Sequence, residues 1–221
     1  MIITENIEKL ILITEKRRSE TVRFLIGIVA FLSLWVFVYA VWLSLGCPVP
    51  PIFLTNLLLL LSGVLLFFIP IPKSKGLSVK NLGKNLAEGL FLAFVCLAVM
   101  AGLKAVVMTV SPNMLRDRPF FDFSVLTAWD AFYAVSVVWQ EFIARCVLFE
   151  GLSRVTGKKR FLPLAISSLF FGAVHVHLGL VYMSGAVLLL SCFGLIYIKQ
   201  RSIWGVCVPH YILGLALIVL F

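Results

Sequence analysis

The segment TAWDAFYAVSVVWQEFIARCVLFEGL, residues 127–152, decides the fold class, because it is long and apolar enough to cross a membrane as one helix. It nevertheless carries Glu141 and Arg145 near its middle, four residues apart and hence on the same side of a helix. Gln140 adds a hydrogen-bonding amide beside them. An ionisable group at membrane depth is costly unless it is paired or hydrated, so these side chains are candidates for a functional site. The plainer interpretation is that Arg145 merely neutralises Glu141.

The composition of the whole chain is that of a membrane protein. Of the 221 residues, 62% are hydrophobic and 13% are charged, whereas about a quarter are charged in soluble domains. The net charge of +9 does not indicate nucleic-acid binding, because the sequence has no basic face with interleaved aromatic residues. The Lys and Arg residues instead occupy short gaps between apolar runs, where they set orientation and meet anionic lipid headgroups. We therefore expect the lipid bilayer, and no nucleic acid, among the partners.

Apolar runs separated by gaps that contain Pro and Gly predict about seven membrane-spanning helices. They lie at about 23–46, 52–71, 86–110, 127–152, 161–178, 180–198 and 203–221. Residues 1–22 predict an amphipathic helix on the membrane surface, or alternatively a plain extension of the first span. The predicted fold class is all-α, a polytopic membrane bundle of helices. It forms a single integral-membrane domain over residues 1–221, with the motifs in a catalytic-like core at 127–221.

The positive residues also predict the orientation of the chain. They concentrate in alternate gaps, beginning with the N-terminal flank, whereas the intervening gaps hold Arg116 and Arg118. Cytoplasmic loops of membrane proteins carry such an excess, so we expect a cytoplasmic N-terminus and an external C-terminus. We expect the protein in a bacterial or archaeal plasma membrane, and the sequence predicts no particular oligomeric state.

Two other spans carry histidines at comparable depth. Phe171 and His175 lie one turn apart in the fifth span, and His210 lies in the seventh. Pro209, directly before His210, frees a backbone carbonyl one turn earlier from its helical hydrogen bond, which favours a polar spot in this helix. With helix tilts of about 20°, we expect His175 and His210 to converge with Glu141 on one pocket.

A carboxylate and two imidazoles suit the hydrolysis of an amide. A carboxylate beside a neutral histidine can hold a water molecule and take its proton, and a second histidine can donate to the oxyanion that develops. Two histidines and one glutamate can also bind zinc, but their spacing matches no zinc signature such as H-E-x-x-H. No cofactor is therefore predicted, and zinc is a minor alternative.

Taken in order, these residues resemble the motifs of the CPBP family, which comprises CAAX proteases and bacteriocin-processing or immunity proteins. The family pattern is E-E-x-x-x-R, then F-x-x-x-H, then H-x-x-x-N or H-x-x-x-D. The matching segments here, within residues 127–221, are Gln140–Arg145, Phe171–His175 and His210–Gly214. The resemblance implies an intramembrane endopeptidase of the glutamic type, which cleaves a membrane-anchored protein or peptide with water activated by glutamate and histidine. It implies catalytic roles for Gln140, Glu141, His175 and His210, with Arg145, Phe171 and Gly214 in support.

The sequence departs from the family pattern at two positions. The first glutamate, which the family uses to activate water, is Gln140 here, and an amide cannot act as a base. Gly214 replaces the amide or acid that would help to polarise the carbonyl oxygen. Three explanations of Gln140 stay open: Glu141 takes over as the base, Gln140 is an engineered replacement that traps an inactive form, or the chain is a pseudoprotease.

Two functions other than proteolysis fit the same residues. A pseudoprotease would be a non-catalytic binding or immunity protein that holds peptides or partners without cutting them. A small transporter would also place Glu, Arg and His within the membrane, but the sequence contains no inverted repeat to support one. A protease requires the motif side chains within hydrogen-bonding reach of one another, whereas a binding protein tolerates their separation.

Overall fold

The computed structural model describes residues 2–44, 57, 61, 62, 76–111, 113, 115, 118–157 and 160–220. These residues are almost entirely helical, and no strand occurs among them. Isolated bridges join Ser202 to Gly76 and Leu77. The predicted all-α fold class is confirmed.

The longer helices follow one another along the chain with few intervening residues. In chain order they are α1 (Ile2–Ser44), α2 (Leu82–Val110), α3 (Tyr133–Glu141), a π-helix (Phe142–Phe149), α4 (Glu150–Val155), α5 (Phe161–Val174), α6 (Leu180–Gln200) and α7 (Trp204–Leu220). Short 3₁₀ turns occupy Phe123–Val125, Ala128–Phe132 and Val176–Leu178. The elements α3, the π-helix and α4 follow without a break, so they form one continuous helical segment.

Among the described residues, four helical stretches are long and apolar enough to cross a membrane. They are Glu5–Ser44, Leu82–Val110, Asp130–Val155 and Tyr182–Gln200. The shorter apolar helices α5 and α7 fall within the predicted fifth and seventh spans. The predicted second span, 52–71, lies outside the described residues apart from 57, 61 and 62. The chain is thus a helical membrane protein, and its number of spans stays a prediction.

Helix α1 joins the N-terminal segment to the first span without interruption. It contains 43 residues, which corresponds to a length of about 64 Å, roughly twice the thickness of the hydrocarbon core of a bilayer. Residues 5–22 are thus part of the same helix as the first span, as in the alternative that treats them as its extension. Their contact with the membrane surface stays a prediction.

Helix α5 ends earlier than the sequence predicted. The fifth span was expected to be helical through 178, but α5 ends at Val174 and His175 lies at its carboxyl-terminal cap. A 3₁₀ turn follows and closes at Gly179, whose φ of 100° lies in the left-handed region that glycine adopts without strain. The glycine therefore ends the helical run, and His175 lies in the turn instead of inside the helix.

The described chain divides into two compact units. One is formed by Met1–Lys73 with Cys146–Leu188, and the other by Ser74–Arg145 with Leu189–Phe221. The first unit therefore contains α1, α4, α5 and the start of α6, and the second contains α2, α3, α7 and the rest of α6. The prediction of one domain for the whole chain stays a prediction.

In the second unit, α2 and α7 pack against each other in parallel. Near their starts, a Cβ atom added to Gly89 would collide with the Gly205 carbonyl oxygen and lie 3.1 Å from its carbon. Near their ends, the buried Lys104 ammonium donates hydrogen bonds to the carbonyl oxygens of Leu220 and, over 2.7 Å, of Pro119. Glycine at 89 permits the close approach, and Lys104 binds the carbonyl end of α7, where the helix dipole favours a positive charge.

In the first unit, α1 packs against the region that carries the F-x-x-x-H motif. The Phe31 ring stacks on that of Phe170 with centroids 5.6 Å apart. One turn further along α1, Trp35 is buried against Val174 and Val176, on either side of the α5 end. These apolar contacts hold the turn after α5 in place.

Candidate active site

Helices α3 and α7 run antiparallel to each other, and they bring together residues of the first and third motifs. At the end of α3, Glu141 Oε1 accepts a hydrogen bond from His210 Nδ1 over 2.7 Å. At the start of α3, the Tyr133 ring lies against Gly214, one turn after His210 on α7. The residues predicted from two separate motifs are therefore in direct contact, although their catalytic role stays a prediction.

Arg145 holds the other oxygen of the Glu141 carboxylate. Its Nε donates to Glu141 Oε2 over 3.0 Å, and its Nη2 donates to the Leu190 carbonyl oxygen of α6 over 2.7 Å. Glu141 and Arg145 are both fully buried. A buried ion pair is tolerable when additional hydrogen bonds satisfy its remaining polar atoms. Here both carboxylate oxygens are satisfied, one by the guanidinium and the other by the imidazole.

The π-helix directly after Glu141 carries Arg145. In a π-helix the backbone hydrogen bonds span five residues instead of four, and such turns occur frequently at functional sites. Every residue from Ile143 to Phe149 is buried. The bonds of Arg145 to Glu141 and to the Leu190 carbonyl explain how a guanidinium can lie in so apolar a segment.

Aromatic rings restrict the orientation of the His210 imidazole. The Phe193 ring centroid lies 5.7 Å from that of His210, and the Tyr133 ring meets the imidazole edge-on at 6.3 Å and 76°. The His210 side chain keeps 12% of its surface exposed, whereas Glu141 has none. Because Nδ1 donates to Glu141, a neutral His210 carries its lone pair on Nε2. The arrangement is a carboxylate-oriented imidazole, which can take up and return a proton.

Gln140, the residue directly before Glu141, has a buried amide whose oxygen lacks a hydrogen-bond partner among the described residues. The residue is buried, with 4% of its surface exposed, and its Oε1 finds no hydrogen-bond partner in the described part of the chain. Buried polar atoms are almost always hydrogen-bonded to protein or water. Gln140 Oε1 is therefore a place where a water molecule or a substrate N–H group can bind.

The second motif lies in the first unit, where its two named residues contact each other. His175 Nδ1 donates to the Phe171 carbonyl oxygen over 2.8 Å, and the two rings lie 4.9 Å apart at 35°. Phe171 is buried, so it forms one wall beside the imidazole. The hydrogen bond leaves the lone pair of a neutral His175 on Nε2. The predicted convergence of His175 with Glu141 stays a prediction.

The zinc alternative requires a cluster of ligands. Across the residues that the structure describes, no group of three or more His, Cys, Asp or Glu side chains could hold a metal ion. The Glu141 carboxylate instead accepts hydrogen bonds from a guanidinium and an imidazole, one on each oxygen. The hydrogen-bond partners of Glu141 are therefore those of a carboxylate in a proton-transfer site.

Sequence reasoning missed three groups that complete the surroundings of His210 and Arg145. Tyr133 lies eight residues before Glu141, a spacing that keeps both within one broad face of a helix, and this spacing was the available signal. Phe193 and the Leu190 carbonyl lie on α6, in a span with no charged residue before Lys199 to draw attention to it. A backbone carbonyl has no signature in the sequence at all.

The part of the chain that carries the motifs matches the model of a known protein family. Residues 122–216 match the family model described as Rce1-like, type II CAAX prenyl endopeptidase, and this region contains all three motif segments. No curated protein and no solved structure matches the chain. At the level of the family, the match supports an intramembrane endopeptidase that acts on a membrane-anchored protein. The predicted relationship to the CAAX proteases of the CPBP family is therefore confirmed, over residues 122–216 of this chain.

Proposed function

We propose that this protein hydrolyses a peptide bond in a membrane-anchored protein or peptide, with His210 as the group that takes the proton of the attacking water. The observation that carries this proposal is the hydrogen bond of 2.7 Å between His210 Nδ1 and Glu141 Oε1. A buried carboxylate in this position holds the imidazole in one tautomer and stabilises the imidazolium that forms during the reaction.

In the proposed reaction, the water oxygen bonds to the scissile carbonyl carbon while the water proton moves to His210 Nε2. The carbonyl π electrons move onto oxygen, which becomes an oxyanion. When the oxyanion collapses, the C–N bond breaks and His210 returns its proton to the leaving amine. The products are an amine and a carboxylic acid, which then loses its proton to the amine or to water, and no covalent enzyme intermediate is required.

The fully buried Glu141 suits the orienting role better than the role of a base that binds water itself. Its two oxygen atoms accept hydrogen bonds from Arg145 and His210. Gln140 Oε1, which lacks a partner in the described part of the chain, supplies the acceptor that positions the water molecule. On this proposal, an amide at position 140 is compatible with catalysis because the base is His210.

The substrate class follows from the family description, which names CAAX prenyl endopeptidases. We propose a substrate that ends in a prenylated Cys-aliphatic-aliphatic-X sequence. A prenyl chain partitions into the hydrocarbon core, so it would carry the adjacent peptide bond to a site within the membrane.

The test uses the full chain, reconstituted in lipid vesicles, with a farnesylated peptide that ends in Cys-aliphatic-aliphatic-X. Mass spectrometry would identify the cleaved bond, and the reaction in H₂¹⁸O should place one heavy oxygen in the new carboxylate. Glu88→Gln is the matched control, because Glu88 pairs with Lys199 and neither residue belongs to a motif. We expect cleavage by the parent and by Glu88→Gln, unchanged by a metal chelator. Loss of cleavage on chelation with recovery on adding zinc would contradict the mechanism.

One observation favours a second function, a binding or immunity protein that does not cut. Position 140, where the family pattern has its water-activating glutamate, holds an amide in this chain. A pseudoprotease would bind the same farnesylated peptide without cleaving it, and neither the parent nor Gln140→Glu would release a product. Binding without cleavage in both proteins would therefore favour this second function.

A further inference from the structure

Tyr133 occupies the space that a side chain at position 214 would fill. A Cβ atom added to Gly214 would lie 2.5 Å from Tyr133 Cε1 and 2.7 Å from Cζ, and it would lie closer still to the hydroxyl oxygen. Real Cβ atoms essentially never approach other heavy atoms below 3.0 Å. The position of Tyr133 therefore requires glycine at 214. The hydroxyl end of the Tyr133 ring occupies the space that a side chain at position 214 would take.

The Tyr133 ring is held in this position by two adjacent residues that lie one helical turn before Gly214 on α7. Its edge meets the His210 imidazole with centroids 6.3 Å apart, and its face stacks on Tyr211 at 5.9 Å and 29°. His210 is in turn bonded to Glu141. The phenol thus lies beside Gly214, one turn along α7 from the imidazole of the proposed site.

A phenol in this place has a definite chemistry. Its hydroxyl is protonated at neutral pH, so it can donate a hydrogen bond. Tyrosine hydroxyls are among the groups that stabilise an oxyanion, and such donors act most strongly where water is excluded. A donor held beside a proton-transferring histidine is suited to the oxygen of the same scissile carbonyl.

We propose that Tyr133 Oη donates a hydrogen bond to the carbonyl oxygen of the substrate as its negative charge develops. This inference rests on the proposed hydrolysis and adds the oxyanion donor that it lacked. The water oxygen still bonds to the carbonyl carbon and its proton still moves to His210. Tyr133 keeps its own proton throughout, so the atom balance of the reaction is unchanged. The pairing also accounts for the departure of Gly214 from the H-x-x-x-N pattern.

The first test concerns the fit of the two residues and needs no activity. Gly214→Ala should lower the melting temperature of the purified protein, and adding Tyr133→Ala should recover most of the loss. Tyr133→Phe should not recover it, because Cε1 and Cζ remain in place. Gly185→Ala on α6, which meets nothing within 4 Å, is the matched control. Equal melting temperatures for Gly214→Ala and Gly185→Ala would overturn the pairing.

The second test concerns the hydroxyl group. Tyr133→Phe keeps the ring, and it should lower kcat about 10²–10³-fold with KM within about twofold, because the hydrogen bond forms as charge develops. Tyr182→Phe, on an exposed tyrosine of α6, should keep the parental rate. Gly214→Asn combined with Tyr133→Ala should cleave at least about tenfold faster than Tyr133→Ala alone, since it returns a donor to the same space. A merely structural tyrosine would give no such recovery.

The outcomes separate this inference from the function on which it rests. If the parent cleaves and Tyr133→Phe cleaves at the same rate, Tyr133 is not the donor while the proposed hydrolysis stands. If the parent cleaves but the Asn-containing double variant gives no gain, the donor role of this position is likewise overturned. If the parent itself does not cleave, both the proposed hydrolysis and the Tyr133 role are contradicted.

Discussion

Glu141 accepts a hydrogen bond from His210 over 2.7 Å, although the two residues lie 69 positions apart in the chain. The same carboxylate accepts a second hydrogen bond from Arg145, one helical turn away. A local ion pair and a distant imidazole thus share one fully buried carboxylate. Such a group is costly to bury, and its two partners offset that cost by satisfying both oxygen atoms.

Replacing Arg145 should destabilise the protein more than replacing any exposed arginine. Arg145→Met removes the partner of Glu141 Oε2 and leaves a buried charge incompletely paired, which typically costs about 3–5 kcal/mol. Arg23→Met, on the exposed part of α1, is the matched control and should cost less than about 1 kcal/mol. The free energy of unfolding in mixed micelles measures both. A loss for Arg145→Met no greater than that for the control would contradict the paired-carboxylate description.

Replacing Gly89 by alanine should separate α2 from α7. The added methyl would meet the Gly205 carbonyl, and overpacking of this kind costs about 1–3 kcal/mol. Gly102→Ala on the same helix meets nothing within 4 Å. In the control the higher helix propensity of alanine should leave stability unchanged or raise it by up to about 1 kcal/mol. Similar unfolding free energies for both variants would show that Gly89 does not set this contact.

The charge distribution predicts which loops face the outside of the cell. In a background from which the native cysteines have been removed, Ser124→Cys should react with an impermeant maleimide added to intact cells. Val155→Cys should react only after the membrane is opened, because its neighbours in the gap are the positive residues expected in the cytoplasm. The reverse pattern of labelling would invert the predicted orientation of the whole chain.

Gln140 should limit the rate without abolishing it. Gln140→Glu introduces a carboxylate beside the water-binding position, and a second base there should raise kcat by at least about tenfold. Gln140→Leu has nearly the same size but cannot accept a hydrogen bond, so it should reduce kcat. Both are measured with the farnesylated peptide in vesicles. Equal rates for the parent and Gln140→Leu would show that the amide does not position water.

The helical fold and one half of the site were accessible from the sequence. Long apolar runs have few folded alternatives in a membrane, because every backbone group must be hydrogen-bonded within its own segment. The spacing of Glu141 and Arg145 predicts their contact, since residues four apart are neighbours on any helix. The order of the motifs predicted the family whose model matches residues 122–216.

Other features depend on contacts between distant segments, which no local pattern records. The bond from Arg145 to the Leu190 carbonyl uses a backbone atom that every residue possesses. The fit of Tyr133 to Gly214 appears in the sequence only as a glycine where the family has a polar residue. The end of α5 at Val174 was missed because the apolar run continues past it to Gly179. These features follow from packing between segments that are far apart in the sequence.

The central claim, that Glu141 and His210 act as one proton-transfer unit, is tested most directly by a double-mutant cycle on the cleavage rate. The four proteins are the parent, Glu141→Gln, His210→Phe and the double variant, assayed with the farnesylated peptide at equal amounts of folded protein. We expect each single change to lower kcat about 10²–10⁴-fold. The kcat of the double variant should be no lower than that of the slower single variant, because the effects of residues that act as a unit do not add. Losses that multiply in the double variant, or parental activity in His210→Phe, would contradict the account.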